Sequence, residues 1–393
     1  MATPEQIRSF NASRRADTSQ LCYAPWLALN FDQTGNVTAC CFNRRHILGR
    51  YPANRLREIW EGAEANALRQ AMADYRFDLG CQSCERMIEE GNYQSVLISH
   101  FDDYYPLIAH RLNGHKSWFD KLFKTAGARA LPDPVVFEFE ISNTCNLECI
   151  MCGGKWSSAI RKNREKKPQP PNPYDQNFVE EVKQFLPNLK RANFLGGEPF
   201  LISLYYELWE AILDINPSID VAITSNGTVM NTRAKRIIEK LPHCRITLSV
   251  DSLQKETWET IRVNGSFEHL QETMDYLLRT GKLVSFSVCP MIQNRMEIPH
   301  LIHFCADKHL DIYFNVVYEP LGGRIKGIHQ DNDGDGFIPE TSLQALSAAE
   351  LEALIAYYRT FRFSGRYRQQ LDHLIAQLEV WMQAKAGQPA PQS

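Results

Sequence analysis

Three cysteines, Cys145, Cys149 and Cys152, stand with C-x3-C-x2-C spacing directly after the strand-like run Val135 to Ile141. Spacings this short let one loop wrap a single compact metal centre, as ferredoxin-type runs wrap an iron–sulfur cube. A local set of three thiolates leaves one iron of a cubane without a protein ligand, and an open metal position is a place for chemistry. A zinc knuckle would want a fourth Cys or His close by, and none follows within the next several residues. A second constellation, Cys22, Cys40, Cys41, Cys81 and Cys84, lies in the first hundred residues, its last two as C-x2-C. That pair plus a distant pair is a four-ligand set for one tetrahedral or cubane centre. Residue types alone leave iron–sulfur and four-cysteine zinc both open.

The elements that must position these thiols are legible as patterns. Val135, Phe137, Phe139 and Ile141 alternate with the period of a strand, which Asn143 and Thr144 break into the cysteine loop. Near the first group, Trp26, Leu27, Leu29 and Phe31 predict a strand, Thr34-Gly35-Asn36 a hairpin turn, and Val37 to Cys40 the return strand, bringing Cys22 towards Cys40. Leu56 to Ala73 has helical spacing and ends before the C-x2-C pair. Trp118 to Lys124 also reads as helix, and Leu131-Pro132-Asp133-Pro134 as a boundary.

After the cysteine loop a helix is expected over 157–166, then the proline-rich KKPQPPNPYDQ. The basic run Arg161, Lys162, Arg164, Lys166 and Lys167 reads as a solvated face. Strands ending at Leu195, at Val221 to Thr224, Ile246 to Val250, Val284 to Val288 and Ile312 to Val317 alternate with helices at Tyr205 to Ile215, Arg233 to Leu241, Phe267 to Leu278 and Ile298 to Asp307. Strands separated by helical crossovers pair in parallel with right-handed connections, and such a series closes part of a barrel. In barrels of this kind function gathers at the C-terminal strand ends. Asp-Asn-Asp-Gly-Asp-Gly at 331–336 imitates a calcium loop but has Ser342 where a bidentate Glu is needed, so a plain loop is expected. Leu346 to Phe361 and Arg366 to Ala384 read as amphipathic helices that cover the barrel's open side, before a disordered tail. The organisation expected is an auxiliary module (1–100), a connector (101–133), an α/β partial barrel (134–320), a loop with C-terminal helices (321–386) and a tail (387–393).

With 393 residues, 44% hydrophobic and 23% charged, the chain has the composition of a soluble protein of two or three domains. A formal charge of -3 gives no basic footprint and argues against a general nucleic-acid binder. The N-terminal residues lack an apolar signal region and no 18-residue apolar run occurs, so no membrane span and a cytoplasmic location are expected. There thiols stay reduced, and clustered cysteines point to metal rather than to disulfides.

The cysteine loop after a strand, together with Gly196-Gly197-Glu198-Pro199 after the next, resembles the radical S-adenosylmethionine (SAM) enzymes. The resemblance implies a partial (β/α)6, TIM-like barrel holding a [4Fe-4S] cluster on Cys145, Cys149 and Cys152, with SAM at the open iron. SAM would be cleaved to a 5′-deoxyadenosyl radical that takes hydrogen from an unreactive carbon. It implies that Glu198, with Gly196, Gly197 and Pro199, meets the amino group of SAM. Ser225 and Asn226 of Ser225-Asn226-Gly227-Thr228, and Ser249 and Asp251 at the next strand end, would reach the rest of the cofactor. Met151 stands where the family usually places an aromatic residue near the adenine. Arg262 falls where relatives often carry an arginine near the site; Cys289 and Met291 fall at a strand end that could face the cavity, and Asn315 and Tyr318 at the next could meet substrate, Tyr318 being a second catalytic candidate, for proton or radical relay. Cys244, Cys289 and Cys305 read as buried small hydrophobes.

Residues 22–84 are similar to the SPASM and twitch domains of the same enzymes, which hold auxiliary [4Fe-4S] clusters, although those usually follow the barrel. On this resemblance Cys22, Cys40, Cys81 and Cys84 hold one auxiliary cluster, with Cys41 competing for the place of Cys40. The substrate would be a peptide or protein, or alternatively a sugar or other small molecule, modified by oxidation, cross-linking or epimerisation. A reductant such as flavodoxin or ferredoxin is the expected partner. A reading of another class is a non-catalytic iron–sulfur or zinc protein that carries or senses.

Overall fold

The computed structural model describes residues 2–14, 18–91, 93, 96–107, 109, 131–317 and 339–386. Its first elements are α1 (Pro4–Ser13), α2 (Ala24–Leu27), β1 (Ala28–Phe31), β2 (Asn36–Thr38), β3 (Gly49–Arg50), α3 (Leu56–Glu61), α4 (Ala63–Ala73), α5 (Gln82–Glu89) and α6 (Ile98–Asp102). A strand and helix series follows: β4 (Val136–Phe139), α7 (Ser158–Asn163), α8 (Gln176–Lys183), β5 (Arg191–Phe194), α9 (Ser203–Ile215), β6 (Asp220–Ser225), α10 (Thr232–Lys240) and β7 (Cys244–Ser249). It ends with α11 (Lys255–Ile261), α12 (Phe267–Arg279), β8 (Leu283–Val288), α13 (Ile298–Asp307), β9 (Asp311–Phe314), α14 (Ala348–Arg359) and α15 (Gly365–Ala386).

This is the expected mixed α/β fold with parallel strands and C-terminal helices, and no pairing among the described residues closes a full barrel. Several local expectations change. Trp26 and Leu27 belong to the helical turn α2, started by Pro25, so the strand begins only at Ala28. The helix expected from Leu56 to Ala73 is two helices, because Gly62 takes an extended backbone between them. The return strand stops at Thr38 and leaves Cys40 and Cys41 on a bend. Helices α8 and α11 were not foreseen, and β9 ends at Phe314 rather than Val317. Trp118 to Lys124, Tyr318, residues 331–336 and the tail 387–393 lie outside the described residues. No helix of the described residues is long and apolar enough to cross a membrane.

The chain divides into two compact units, each made of several segments: residues 1–141, 171–194 and 207–221 in one, 142–170, 195–206 and 222–393 in the other. In the first, β1 pairs antiparallel with β2 and parallel with β4, which pairs parallel with β5. One sheet face is apolar: Phe31 and Phe139 meet Phe178 of α8 at ring separations of 5.2 and 6.2 Å, and Phe137 meets Phe185 at 5.6 Å. Each such pair is worth about 0.5–1.5 kcal/mol beyond area burial. Asp175 starts α8 by accepting from the Asn177 and Phe178 N–H groups, and the Tyr51 hydroxyl donates to it at 2.8 Å. A buried pair, Arg14 with Asp102 at 2.7 Å, ties the end of α1 to α6.

In the second unit β7, β8 and β9 pair in parallel. Asn231 caps α10 and Ser266 caps α12, each accepting from a first-turn N–H. The C-terminal helices pack on β9 and α13: the hydroxyls of Tyr358 and Tyr367 donate to the carbonyls of Arg295 (2.7 Å) and Leu310 (2.9 Å).

Candidate metal centres

In the second unit the cysteine loop is held by its own backbone. The Cys145 N–H donates to the Ser158 hydroxyl (3.1 Å), which donates back to the Cys145 carbonyl, and the Ser157 hydroxyl donates to the Leu147 carbonyl (2.6 Å). The Ile150 and Glu148 N–H groups donate to the carbonyls of Ile261 and Val263, laying the loop along the segment after α11. Buried Glu148 accepts from Asn163 (2.7 Å) and Asn264 (2.8 Å). Burial, helped by the neighbouring thiols, pushes the Cys145 thiol up to about 11 and Cys152 to about 12. Cys149 is also raised by burial, against the pull of Arg262. At neutral pH these groups are protonated until a positive metal centre draws them into thiolates.

Arg262 and Asp251 form the charged pair beneath this loop. The Arg262 Nε donates to Asp251 Oδ2 at 2.7 Å, and its Nη1 stands 3.8 Å from the Cys149 sulfur. Burial alone would lower the Arg262 pKa, but Asp251 and Cys149 raise it, so the guanidinium stays charged. Asp251 is fully buried; its other oxygen accepts the Cys289 N–H at 2.7 Å. Asn294, also fully buried, donates to the carbonyls of Asp251 (2.8 Å) and Cys289 (3.0 Å).

The glycine-rich turn packs on the same loop. Gly197 and Glu198 donate from their N–H groups to the carbonyls of Ser142 (2.9 Å) and Thr144 (2.7 Å), and a Cβ on Gly197 would lie 2.2 Å from the Thr144 carbonyl oxygen. Only glycine permits that approach. The Glu198 side chain is fully buried and joins this turn to the next: Oε1 accepts from Phe200 N–H (3.2 Å) and Ser225 hydroxyl (2.9 Å), Oε2 from Asn226 N–H (2.7 Å). Burial raises its pKa to about 7 in spite of these donors. The Asn226 amide donates to Asn146 Oδ1 at 3.1 Å and lies 3.9 Å from the Cys145 sulfur.

Of the residues read from sequence, Cys145, Cys149, Cys152, Gly197, Glu198, Ser225, Asn226, Asp251 and Arg262 thus share one hydrogen-bonded set. Met151 and Ser249 are half-buried on the cysteine loop and at the end of β7, and Tyr318 lies outside the described residues. Cys244 and Cys305 are buried, whereas Cys289 is half-buried and interacts with Asp251, Arg262 and Cys149. Sequence reasoning missed Glu148 and Asn294, whose only signal is a polar residue at a position the fold buries.

In the first unit Cys22, Cys40, Cys81 and Cys84 line one pocket with Leu21 and Phe101. Asn43 Nδ2 donates to the Leu79 carbonyl (2.8 Å) and reaches the Cys81 sulfur (3.5 Å); the Ala24 N–H reaches Cys22 at 3.4 Å. Burial, then the proximity of other thiols, pushes Cys40 up to about 12, and burial takes Cys84 to about 11. Cys41 does not line the cavity; its thiol is raised by burial and then by Glu138 and Glu140. Among the described residues no three His, Cys, Asp or Glu side chains converge as ligands of a single ion. Thiolates of a cubane each bind a different iron and stand further apart, so a cluster does not require that convergence.

Residues 139–305 match the family model described as Radical SAM superfamily, and residues 22–85 the SPASM model, an iron-sulfur cluster-binding domain. Among curated proteins the chain is similar to the GTP 3′,8-cyclase of Chlorobaculum tepidum, 27% identical over 182 residues covering 44% of this chain and 51% of that protein. It is also similar to the GTP 3′,8-cyclase of Aliarcobacter butzleri, 23% identical over 146 residues covering 36% of this chain and 45% of that protein. The chain therefore spans about half the length of these relatives. Among solved structures it is similar to Streptococcus suis SuiB bound to S-adenosylmethionine, with TM-score 0.42, 17% identity, and coverage of 74% of this chain and 60% of that one. For anSMEcpe with bound AdoMet the TM-score is 0.41 at 15% identity, covering 57% of this chain and 60% of that one.

Proposed function

From a chain that belongs to the radical SAM superfamily, with a SPASM domain ahead of its radical SAM domain, we infer an enzyme that removes hydrogen from a carbon of a peptide or protein. The first domain implies a [4Fe-4S] cluster with SAM, the second an auxiliary iron–sulfur cluster. When bound, the cluster and SAM supply hydrogen abstraction by a 5′-deoxyadenosyl radical. The chain's own residues bind, orient and tune. Cys145, Cys149 and Cys152 hold the first cluster, and Arg262, fixed by Asp251, sets a positive charge beside it. Gly196, Gly197, Glu198 and Pro199 take the amino end of SAM, with Ser225, Asn226, Ser249 and Met151 around the rest. Cys22, Cys40, Cys81 and Cys84 would hold the auxiliary cluster, which would supply an electron acceptor for a net oxidation or cross-link of the substrate.

The observation that carries this reading is the presence of two separate buried thiol groups in one chain, one of three cysteines beside a buried guanidinium and one of four around a cavity. A second reading, a small-molecule substrate, is favoured by the similarity to GTP 3′,8-cyclases. The test is anaerobic. The reconstituted, reduced protein is given SAM and candidate peptides or small molecules, with a Cys145/Cys149/Cys152 triple-alanine control. 5′-Deoxyadenosine together with a peptide lacking two hydrogens supports the first reading; nucleoside coupled only to a small molecule supports the second. Zinc in the N-terminal thiols and no nucleoside would sink both.

A further inference from the structure

The sheet of the first unit carries a buried polar row on the face opposite its phenylalanines. Register aligns Thr38 of β2, Asn30 of β1, Glu138 of β4 and Asn193 of β5 side by side across four strands. Thr38, Asn30 and Glu138 are 3%, 1% and 6% exposed. Burying such groups is costly unless each finds a partner.

The Glu138 carboxylate has the Cys41 N–H beside it as well as Asn193. The Thr38 hydroxyl shares its one proton between the Cys40 carbonyl at 3.0 Å and Asn30 Oδ1 at 3.3 Å. Asn193 Nδ2 donates to Glu138 Oε1 at 3.4 Å, and Arg191 Nε donates to Asn193 Oδ1 at 2.8 Å. Glu140, the next residue on this face, is occupied by Arg44 Nη2 at 2.7 and 3.0 Å, so Arg44 is not spare for Glu138. Two atoms remain: Asn30 Nδ2 and Glu138 Oε2 have no hydrogen-bond partner among the described residues. Native structures satisfy roughly nine buried polar groups in ten. Here a donor and an acceptor are left over on register neighbours of adjacent strands, about 4.8 Å apart in the sheet.

A ligand that completes this pair offers an oxygen to Asn30 and an N–H to Glu138 from one edge. A trans peptide bond points its oxygen and N–H in opposite directions. A primary carboxamide, or the lactam edge of a purine base, presents both on the same side. We propose that Asn30 and Glu138 form a substrate subsite that reads such an amide edge, supplied by an Asn or Gln side chain of the peptide. The inference rests on the peptide reading above; a guanine base is the other source of the same chemistry.

The experiment uses the full reconstituted chain and three probes: N-acetylglutamine methylamide, N-acetylglutamate methylamide and guanosine, with binding measured by saturation-transfer NMR. Glu138→Met and Asn30→Leu are compared with the parent in binding and in thermal midpoint. The expected result is binding of the glutamine probe over the glutamate one, weakened about tenfold or more in each variant, a loss of one good hydrogen bond. The thermal midpoint should rise in both, because an orphaned buried polar atom has been replaced by an apolar one. Binding of guanosine alone, lost in the same variants, would uphold the subsite and overturn the peptide reading. Equal binding of all probes by all variants, with a lowered midpoint, would overturn the subsite: ordered waters then complete the row. That outcome leaves the peptide reading to its own product assay.

Discussion

Replacing Arg262 by Met should make the Cys145/Cys149/Cys152 cluster harder to reduce. The guanidinium nitrogen lies 3.8 Å from the Cys149 sulfur. Two unit charges about 4 Å apart interact by ~4 kcal/mol at an effective dielectric of about 20. The electron added on reduction is spread over the cluster, so about half of that interaction, ~2 kcal/mol, is lost with the charge. At 59 mV per tenfold in a one-electron couple, the midpoint potential should fall by about 90 mV. The same substitution leaves the buried Asp251 carboxylate, among the described residues, with the Cys289 N–H as its remaining partner, and removing one member of a buried pair costs about 3–5 kcal/mol of stability. Arg262→Met/Asp251→Asn removes both charges and should recover most of the stability, while the lost potential returns only in part. Arg262→Lys keeps the charge and should shift the potential least. The assay is a mediated redox titration without SAM, following the electron paramagnetic resonance signal that the Cys145/Cys149/Cys152 triple-alanine variant lacks. A shift below about 20 mV in Arg262→Met would refute the electrostatic argument.

Other outcomes follow from the same geometry. Glu198, raised to about 7 by burial, is neutral below that pH and charged above it. Its contribution to folding is therefore present at low pH and lost as pH rises through 7, whereas in the role proposed for it affinity for the ammonium of SAM runs the other way, falling about tenfold per unit below 7. Isothermal titration from pH 6 to 8 should show this slope, and Glu198→Gln should flatten it. Cys40→Ser should cost the auxiliary cluster's iron and sulfide while Cys41→Ser retains them, since only Cys40 lines the four-thiol cavity; equal losses would contradict the assignment. Gly197→Ala forces the Thr144 carbonyl away and should destabilise the second unit by about 1–3 kcal/mol, read by urea unfolding of the metal-free protein.

The features legible in the sequence were those with a period or a fixed spacing. Alternating Val135, Phe137, Phe139 and Ile141 gave the strand before the cysteine loop, and α13 matches its expected bounds at Ile298 and Asp307. What could not be read is set by tertiary placement. Pro25 starts a helical turn where hydrophobic alternation suggested a strand, and Gly62 breaks one expected helix into two. Glu138 and Glu140 were visible as charges interleaved with Phe137 and Phe139, the pattern of a strand with one solvated face, yet both are buried. No local rule distinguishes a polar residue facing water from one facing an enclosed site. The same holds for Asp251 and Arg262: one was apparent at a strand end and the other from the family resemblance, but not that each is the other's counter-ion.

The parallel pairing of β1 with β4 has a consequence for synthesis. About a hundred residues separate the two strands, so at 5–20 residues per second the ribosome releases β1 roughly 5–20 s before the strand that will complete its edge. During that interval the nascent N-terminal module shows an open row of backbone donors and acceptors, an invitation to wrong pairing. A gene shortened to begin near residue 131 would transfer the same exposure to β4, permanently. The module is thus bound into the sheet as one of its courses, and its removal should yield aggregated protein rather than an enzyme that merely lacks a cluster.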